Sequence, residues 1–267
     1  MELLNFLLLG AVTGVLAGLL GVGGGVVLVP MLVIIYAGLP WGAAHGTQIA
    51  HLALGTSLAS IVFTSISSVR AHHRRGAVDW AVVRRLAPGL LIGTLAGSFV
   101  AGQLSTPALK AVFVVFSFYV SGQMLLNARP KASRELPGPA GMHVAGGAIG
   151  AFSSLVGIGG GSVAVPFMSW CSVPMHRAIA TSAALGFPIA VAGTVGFVIN
   201  GLGSGQVLPP WSLGYVYLPA LLAIAVGSVF TAPFGARLAH ALPVGRLKQA
   251  FAVLLLGLGG RMLWSLV

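Results

Sequence analysis

Two stretches of this sequence are near-copies of each other: GAVTGVLAGLLGVGGGVVLVP at residues 10–30 and GGAIGAFSSLVGIGGGSVAVP at residues 146–166. Each contains three consecutive glycines followed by a proline, and each lies within long apolar sequence. An internal repeat whose hydrophobic segments are interrupted by glycine at matching positions is typical of the binding site of a secondary transporter. We therefore expect the two stretches to determine both the fold and the function.

The composition indicates a membrane protein. Of 267 residues, 57% are hydrophobic and only 6% are charged, and the mean hydropathy is +1.00. Soluble domains carry about 25% charged residues. Apolar runs at 86–102, 111–126 and 211–234 approach the roughly 20 residues that a helix needs to cross a bilayer. These features predict an all-α polytopic membrane protein.

The signs of the charges restrict what the protein could move. There are 14 Lys and Arg residues but only three acids, Glu2, Asp79 and Glu135. Most basic residues lie in short loops, as the positive-inside rule requires, so we expect no nucleic acid partner. Pathways for protons and metal cations usually contain buried carboxylates, and no acid falls inside a predicted span. We therefore expect an anionic or neutral solute, and no metal site or cofactor.

The chain divides into a first repeat at 1–127, a cytoplasmic linker at 128–141 and a second repeat at 142–267. Each repeat is predicted to contain five helical segments. The predicted segments are 3–20, 26–38, 46–70, 80–103, 107–127, 142–156, 162–173, 176–200, 211–238 and 244–266.

Loop charges predict that the two repeats have opposite orientations. The loop 70–85 is basic and should be cytoplasmic, whereas its counterpart 200–210 is uncharged and should be outside. The loop 237–248 is basic, whereas its counterpart 103–107 is uncharged. An inverted repeat needs an odd number of crossings in each half, so each glycine stretch must return the chain, as a re-entrant hairpin or as two full crossings. Both termini are then expected on the non-cytoplasmic side.

The glycine triplets are candidate substrate-binding turns. Irregular backbone within a membrane is tolerated where it is buried in protein or lines a cavity. A helix beginning after each triplet, with Pro30 or Pro166 in its first turn, would direct free amides and a partial positive charge at a ligand. The candidate residues are Gly23, Gly24, Gly25, Gly159, Gly160 and Gly161. Helix packing alone is the alternative, and packing is the preferred interpretation for Gly10, Gly14, Gly18, Gly146, Gly150 and Ser154.

Polar side chains at matching positions of the repeats are further candidates. Ala53–Ser57 corresponds to Ala178–Ser182, which places the hydroxyls of Thr56, Ser57, Thr181 and Ser182 where they could donate to an oxyanion. Hydrogen bonds back to helix carbonyls are the alternative. Gln48 and His51 share one face of a predicted helix and either line an entrance, respond to pH or simply lie at the membrane interface.

At these residues the sequence resembles the sulfite exporter TauE/SafE family of bacterial membrane permeases. The resemblance rests on the two glycine motifs, the two Thr-Ser pairs and the segment SSVRAHHRRGAVDW at 67–80, and it covers essentially the whole chain. It implies transport of sulfite, organosulfonates or related small anions across the bacterial inner membrane. We expect a secondary exporter that works by alternating access around two facing glycine turns near the membrane midplane.

Other functions stay open at this point. The chain could transport or conduct another small anion such as a carboxylate, or it could be a non-transporting scaffold subunit. Its small-residue helix faces would permit a homodimer. An intramembrane enzyme would need a nucleophile with a base, or a metal site containing carboxylates, so we expect no catalytic residues.

Overall fold

A computed structural model describes residues 2–20, 24–126, 133–241 and 244–266. The described residues contain ten α-helices and one hairpin of two short strands. The helices are α1 (Glu2–Leu20), α2 (Gly25–Ala37), α3 (Ile49–His73), α4 (Trp80–Gln103), α5 (Thr106–Leu125), α6 (Pro139–Val156), α7 (Gly161–Trp170), α8 (Met175–Gly203), α9 (Leu218–Ala241) and α10 (Val244–Trp264). The strands are β1 (Ser212–Leu213) and β2 (Val216–Tyr217), paired antiparallel. The prediction of ten helical segments is confirmed.

Six of the described helices are long and apolar enough to cross a membrane: α1, α3, α4, α5, α8 and α9. The helix α2 and the part of α10 from Gln249 to Trp264 are apolar but shorter. Large hydrophobic side chains such as Ile92, Val115 and Phe230 are more than two-thirds exposed on the outer faces of these helices, where a bilayer would cover them. The chain is an all-α polytopic membrane protein, as its composition predicts.

Each glycine stretch reverses the direction of the chain. The rings of Phe6 and Tyr36 are 6.1 Å apart, so α2 runs back along α1. In the second half, the backbone amide of Ser133, before α6, donates to the carbonyl of Trp170 at the end of α7. The 13 residues of α2 and the 10 residues of α7 span about 20 Å and 15 Å. Since the hydrocarbon core is about 30 Å thick, these lengths fit re-entrant hairpins better than paired full crossings.

Two details of the predicted helices are wrong. Gly24 and Gly160 adopt left-handed φ angles of 75° and 76° and precede helices that begin at once, at Gly25 and Gly161. Pro30 and Pro166 therefore lie in the second turn rather than the first. Residues 211–217, predicted as helix, instead form the β1–β2 hairpin, because Trp211 and Gly214 adopt positive φ angles that stop a helix.

Small residues bring the long helices of the two halves close together. Gly10 of α1 faces Ile224 of α9, where an added Cβ would lie only 2.5 Å from the carbonyl oxygen. Gly146 of α6 faces Leu86 of α4, where an added Cβ would lie at the same distance from the carbonyl oxygen. The packing interpretation of these small-residue patterns is confirmed. The first helix of each half thus packs on the fourth helix of the other half.

The third helices of the two halves, α3 and α8, pack against each other in the centre of the molecule and run antiparallel. A Cβ added to Gly193 would lie 2.7 Å from Cδ1 of Leu58, and one added to Gly186 would lie 3.8 Å from Cβ of Ser65. Residue numbers therefore rise along α3 while they fall along α8. The pair is mostly buried and forms the frame around which both glycine hairpins are placed.

Candidate functional site

The two glycine hairpins meet in the interior. Gly25, the first residue of α2, packs against the backbone of Gly157 and Ile158, which join α6 to α7. A Cβ on Gly25 would lie 2.9 Å from Cα of Ile158 and closer still to the carbonyl oxygen of Gly157. Such an approach between two main chains is possible only without a side chain. The two predicted turns are therefore brought into contact.

This contact, which we call the glycine junction (residues 24–25 and 157–161), lies halfway along the central helices. A Cβ on Gly25 would be 3.0 Å from Cδ1 of Ile61, in the middle of α3. The carbonyl oxygen of Gly159 faces Gly186, near the middle of α8. Since α3 and α8 are long enough to cross the hydrocarbon core, the junction lies at depth and not at a membrane surface.

Two helices, α2 and α7, begin at the junction. In α2 the amides of Val27 and Leu28 donate to the carbonyl of Gly24, and in α7 those of Val163 and Ala164 donate to Gly160. Among the described residues, the preceding amides of Gly161 and Ser162 have no acceptor. Each start contributes about half a positive charge. Gly23, the remaining candidate of the first triplet, lies outside the described residues.

The two threonines at matching positions of the repeats accept hydrogen bonds from backbone amides just before other helices begin. The Thr56 hydroxyl accepts from the amide of Tyr217, the residue before α9, at 3.0 Å. The Thr181 hydroxyl accepts from the amide of Asp79, the residue before α4, also at 3.0 Å. Each threonine thus anchors the start of the fourth helix of the opposite half. This shared role explains why Thr56 and Thr181 occupy matching positions in the two repeats.

The serines beside these threonines differ from each other. The Ser57 hydroxyl donates to the carbonyl oxygen of Gly157 at 2.8 Å, so it touches the glycine junction directly. The Ser182 hydroxyl donates to the carbonyl of Ile179 within its own helix, which is the alternative that its sequence position left open. Ser182 also lines a small cavity next to the junction.

That cavity contains hydroxyls that the sequence analysis did not single out. It has a volume of about 10 Å³, room for at most one water molecule, and is lined by Ala17, Thr64, Ser65, Ser68, Ser182, Ala183 and Gly186. Ser68 is 2% exposed and its Oγ has no hydrogen-bond partner in the described structure. Ser153, fully buried beside Gly160, likewise has an Oγ without a partner among the described residues. Unpaired buried hydroxyls are costly, so these atoms could bind a polar ligand or water.

The position of the cavity is asymmetric. It lies beside the C-terminal half of α3, on the side that leads to the basic loop 70–85. Away from the cavity the contacts of the central helices are apolar: Leu58 of α3 packs on Gly193 of α8, and Ile189 of α8 packs on Gly160 of the junction. The cluster of hydroxyl groups therefore lies between the junction and the basic loop, where a solute that enters from that side would meet it.

Gln48 and His51 lie away from the junction, at the N-terminal end of α3. The Gln48 side chain donates to Oε1 of Gln206 at 2.5 Å, and Nε2 of His51 is 3.1 Å from the carbonyl oxygen of Ala101. The His51 ring also stacks on Tyr215 at 5.0 Å. Ten residues of helix, about 15 Å, separate His51 from Ile61 at the junction. The structure therefore does not bring this pair together with the glycines.

A family comparison identifies this architecture. The family model described as sulfite exporter TauE/SafE matches residues 6–262. The chain belongs to the TauE/SafE family. The resemblance inferred from the glycine motifs and the Thr-Ser pairs is thereby confirmed.

Curated relatives of this TauE/SafE chain are named as transporters. A probable membrane transporter protein of Haemophilus influenzae is 37% identical over 251 residues, which cover 94% of this chain and 94% of that protein. A probable membrane transporter protein of Methanocaldococcus jannaschii is 26% identical and covers 87% of this chain and 84% of its own length. The probable membrane transporter protein YunE of Bacillus subtilis is 25% identical, over 99% of this chain and 98% of its own length. No solved structure matches the chain.

The TauE/SafE chain is accordingly a multi-pass membrane transporter, and its charges suit the glycine junction to an anion. All three acids lie at helix ends or in loops: Glu2 begins α1, Asp79 caps α4 through the amides of Ala81 and Val82, and Glu135 precedes α6. No Asp or Glu side chain therefore lies near the junction, in the part of the chain that the structure describes, to oppose a negative charge. Two helix starts with nearby hydroxyls could stabilise an oxyanion without a basic side chain.

Proposed function

We propose that this chain is a secondary transporter that exports small sulfur oxyanions, such as sulfite or organosulfonates, across the bacterial inner membrane. The observation that carries the proposal is that two helices, α2 and α7, begin within one buried glycine junction at mid-depth, away from all three acidic side chains. The family description supports sulfite as a substrate. We assign the backbone amides of residues 23–25 and 159–161 to substrate binding.

The proposed substrate matches the polarity of the site. Two helix starts together supply about one positive charge, which attracts an anion without holding it as tightly as an arginine would. The cavity beside the junction is lined by hydroxyls that can donate to an oxyanion, and it has to widen during transport to admit one. In this proposal Ser57, Ser68 and Ser182 contact the anion during transport. Thr56 and Thr181 act mainly by anchoring α9 and α4.

We further propose that the two halves form an inverted repeat and that transport alternates access around the junction. The antiparallel packing of α3 against α8 supports this topology, since equivalent helices of an inverted repeat cross in opposite directions. In this proposal the hydroxyl-lined cavity lies on the cytoplasmic side, and the apolar contacts of Leu58 and Ile189 close the other side. In the opposite state of the transport cycle, the apolar contacts would separate and the side that now contains the cavity would close.

The topology is tested by labelling single cysteines in a Cys171→Ala background. Val207→Cys, in the uncharged loop, should react with a membrane-impermeant maleimide in intact cells. Arg84→Cys, exposed on the basic side, should react only after the membrane is permeabilised. Labelling of both positions in intact cells, or the reverse pattern, would contradict the proposed orientation of the repeats and of the termini.

The substrate is tested by flux measurements with the purified chain in proteoliposomes. We expect saturable movement of sulfite or an organosulfonate, and weaker movement of sulfate and small carboxylates. Ser68→Ala should weaken the apparent affinity about 10-fold, as expected for one lost hydrogen bond to a charged group. Ser67→Ala is the matched control, because Ser67 lies on the other face of α3 and donates to Val229.

Other outcomes of the same experiment identify the alternatives. Voltage-driven single-channel steps would indicate an anion channel instead of a carrier. Saturable flux of carboxylates alone would retain the carrier mechanism and replace the substrate class. A purified chain that carries no flux with any of these anions would indicate a scaffold subunit and would overturn the proposal.

A further inference from the structure

A groove on the outer surface lies on the opposite face of α3 from the hydroxyl cavity. Its walls come from α3 and α9, and its apolar lining includes Phe63, Ile66, Val229 and Pro233. It has a volume of about 370 Å³ and is open along one side. Phe63 is 43% exposed there. The groove therefore faces the surrounding lipid and is separate from the proposed transport pathway.

Two arginines stand at one end of this groove. Arg70 lies in the last turn of α3 and Arg74 directly follows the helix, and both are exposed and line the groove together with Phe63. Neither side chain makes a hydrogen bond or an ion pair in the described part of the chain. The next arginine differs, since Arg75 donates to the carbonyl oxygen of Ala236. The pair at the groove is therefore free to bind an external anion.

None of the three acidic side chains neutralises this end of the groove within the described residues. Asp79 is the one acid in the loop 70–85, and its carboxylate accepts from the backbone amides that begin α4. A further positive charge lies nearby on α9, where the guanidinium of Arg237 sits 5.7 Å from the Phe234 ring centroid. The end of the groove thus carries a concentrated positive charge.

The floor of the groove satisfies its own hydrogen bonds. Pro233 has no amide hydrogen, so the carbonyl of Val229 lacks its usual partner within α9. The hydroxyl of Ser67 donates to that carbonyl at 2.8 Å and replaces the missing bond. An occupant of the groove therefore needs an apolar body, and a negative charge only at the arginine end.

We propose that this groove binds an anionic phospholipid. The phosphate is held by Arg70 and Arg74, and an acyl chain lies along Phe63, Ile66 and Pro233. Seven residues of helix, about 10 Å, separate Arg70 from Phe63, so the headgroup and the acyl chain are accommodated together. Basic pockets between helices on the cytoplasmic side of a membrane are suited to anionic lipids.

The proposal is tested with the purified, delipidated full-length chain in detergent. Native mass spectrometry is used to compare binding of phosphatidylglycerol with that of phosphatidylcholine carrying the same acyl chains. We expect the wild-type chain to prefer phosphatidylglycerol about 30-fold, since each arginine near an anionic surface contributes roughly a factor of five. Arg70→Gln/Arg74→Gln should abolish this preference.

Three controls distinguish a lipid site in the groove from general surface attraction and from a site for free anions. Arg84→Gln/Arg85→Gln removes the same charge from exposed positions outside the groove and should keep the preference. Ala71→Trp fills the groove while both arginines stay, and it should weaken phosphatidylglycerol binding. Inorganic phosphate at millimolar concentration should not displace the lipid.

The opposite results overturn the proposal. Equal loss in the two arginine pairs would indicate general surface attraction, and displacement by phosphate would indicate a free-anion site. Unchanged binding in Ala71→Trp would exclude the acyl-chain groove. Because the measurement is of lipid binding alone, it does not depend on the transported substrate, and failure of the proposed transport function would leave its result unaffected.

Discussion

Replacing Gly25 by alanine should reduce substrate flux about 5- to 150-fold, although the change adds a single methyl group. The new Cβ would collide with the carbonyl oxygen of Gly157 and lie 2.9 Å from Cα of Ile158. Both neighbours are backbone atoms, so neither can move aside by changing a rotamer. The two hairpins would have to separate, at a cost typical of overpacking, about 1–3 kcal/mol. Flux in proteoliposomes, measured against the amount of inserted protein, provides the readout.

A matched substitution shows whether the loss of flux comes from the position of Gly25 or from replacing any helical glycine by alanine. Gly122 is also helical, on α5, and an alanine there would meet no heavy atom of the described residues within 4 Å. Gly122→Ala should insert, fold and transport like the wild type. Gly160→Ala is an intermediate case, because its closest neighbour is the movable Cδ1 of Ile189, although φ is 76°. Wild-type flux in Gly25→Ala would show that the glycine junction is not part of the transport mechanism.

The sequence was sufficient for the helices and for the reversal of the chain at each glycine stretch. Long apolar runs and glycine triplets are local signals, so α1 to α10 and the reversal of the chain in each half follow from pattern alone. The β1–β2 hairpin does not follow from any local pattern in the sequence. Its strand β2 ends at Tyr217, whose amide is bound by Thr56 from a helix 161 positions away, and a contact of that range has no signature in a local window.

The hydroxyl cavity could not be located from the sequence for a similar reason. Ser67 and Ser68 are adjacent, yet Ser67 donates to Val229 beside the lipid-facing groove whereas Ser68 lines the cavity with an Oγ that has no partner among the described residues. The spacing of serines and threonines along α3 shows that the helix has hydroxyls on several faces. Only the packing of α8 and α9 determines which face points inward.

Cross-linking α3 to α8 should stop transport reversibly if the two helices must move against each other. A Cβ on Gly186 would lie 3.8 Å from Cβ of Ser65, which is the usual separation in a disulfide. Ser65→Cys/Gly186→Cys should therefore form a disulfide on mild oxidation, seen as loss of maleimide-reactive thiols. Flux should fall to background and return after reduction. The bond would close the cavity that both residues line.

The native cysteine and a displaced pair provide the controls. Cys171 is buried, and burial raises the pKa of its thiol, so it reacts slowly; Cys171→Ala removes it altogether. Ser67→Cys/Gly186→Cys carries the same cysteine at 186 but places the other thiol on the opposite face of α3, so oxidation should neither cross-link it nor change its flux from the reduced value. Full transport by the oxidised Ser65–Gly186 pair would mean that the solute passes a rigid α3–α8 interface. Such a result would favour a channel over alternating access, because a carrier must rearrange the helices around its site in every cycle.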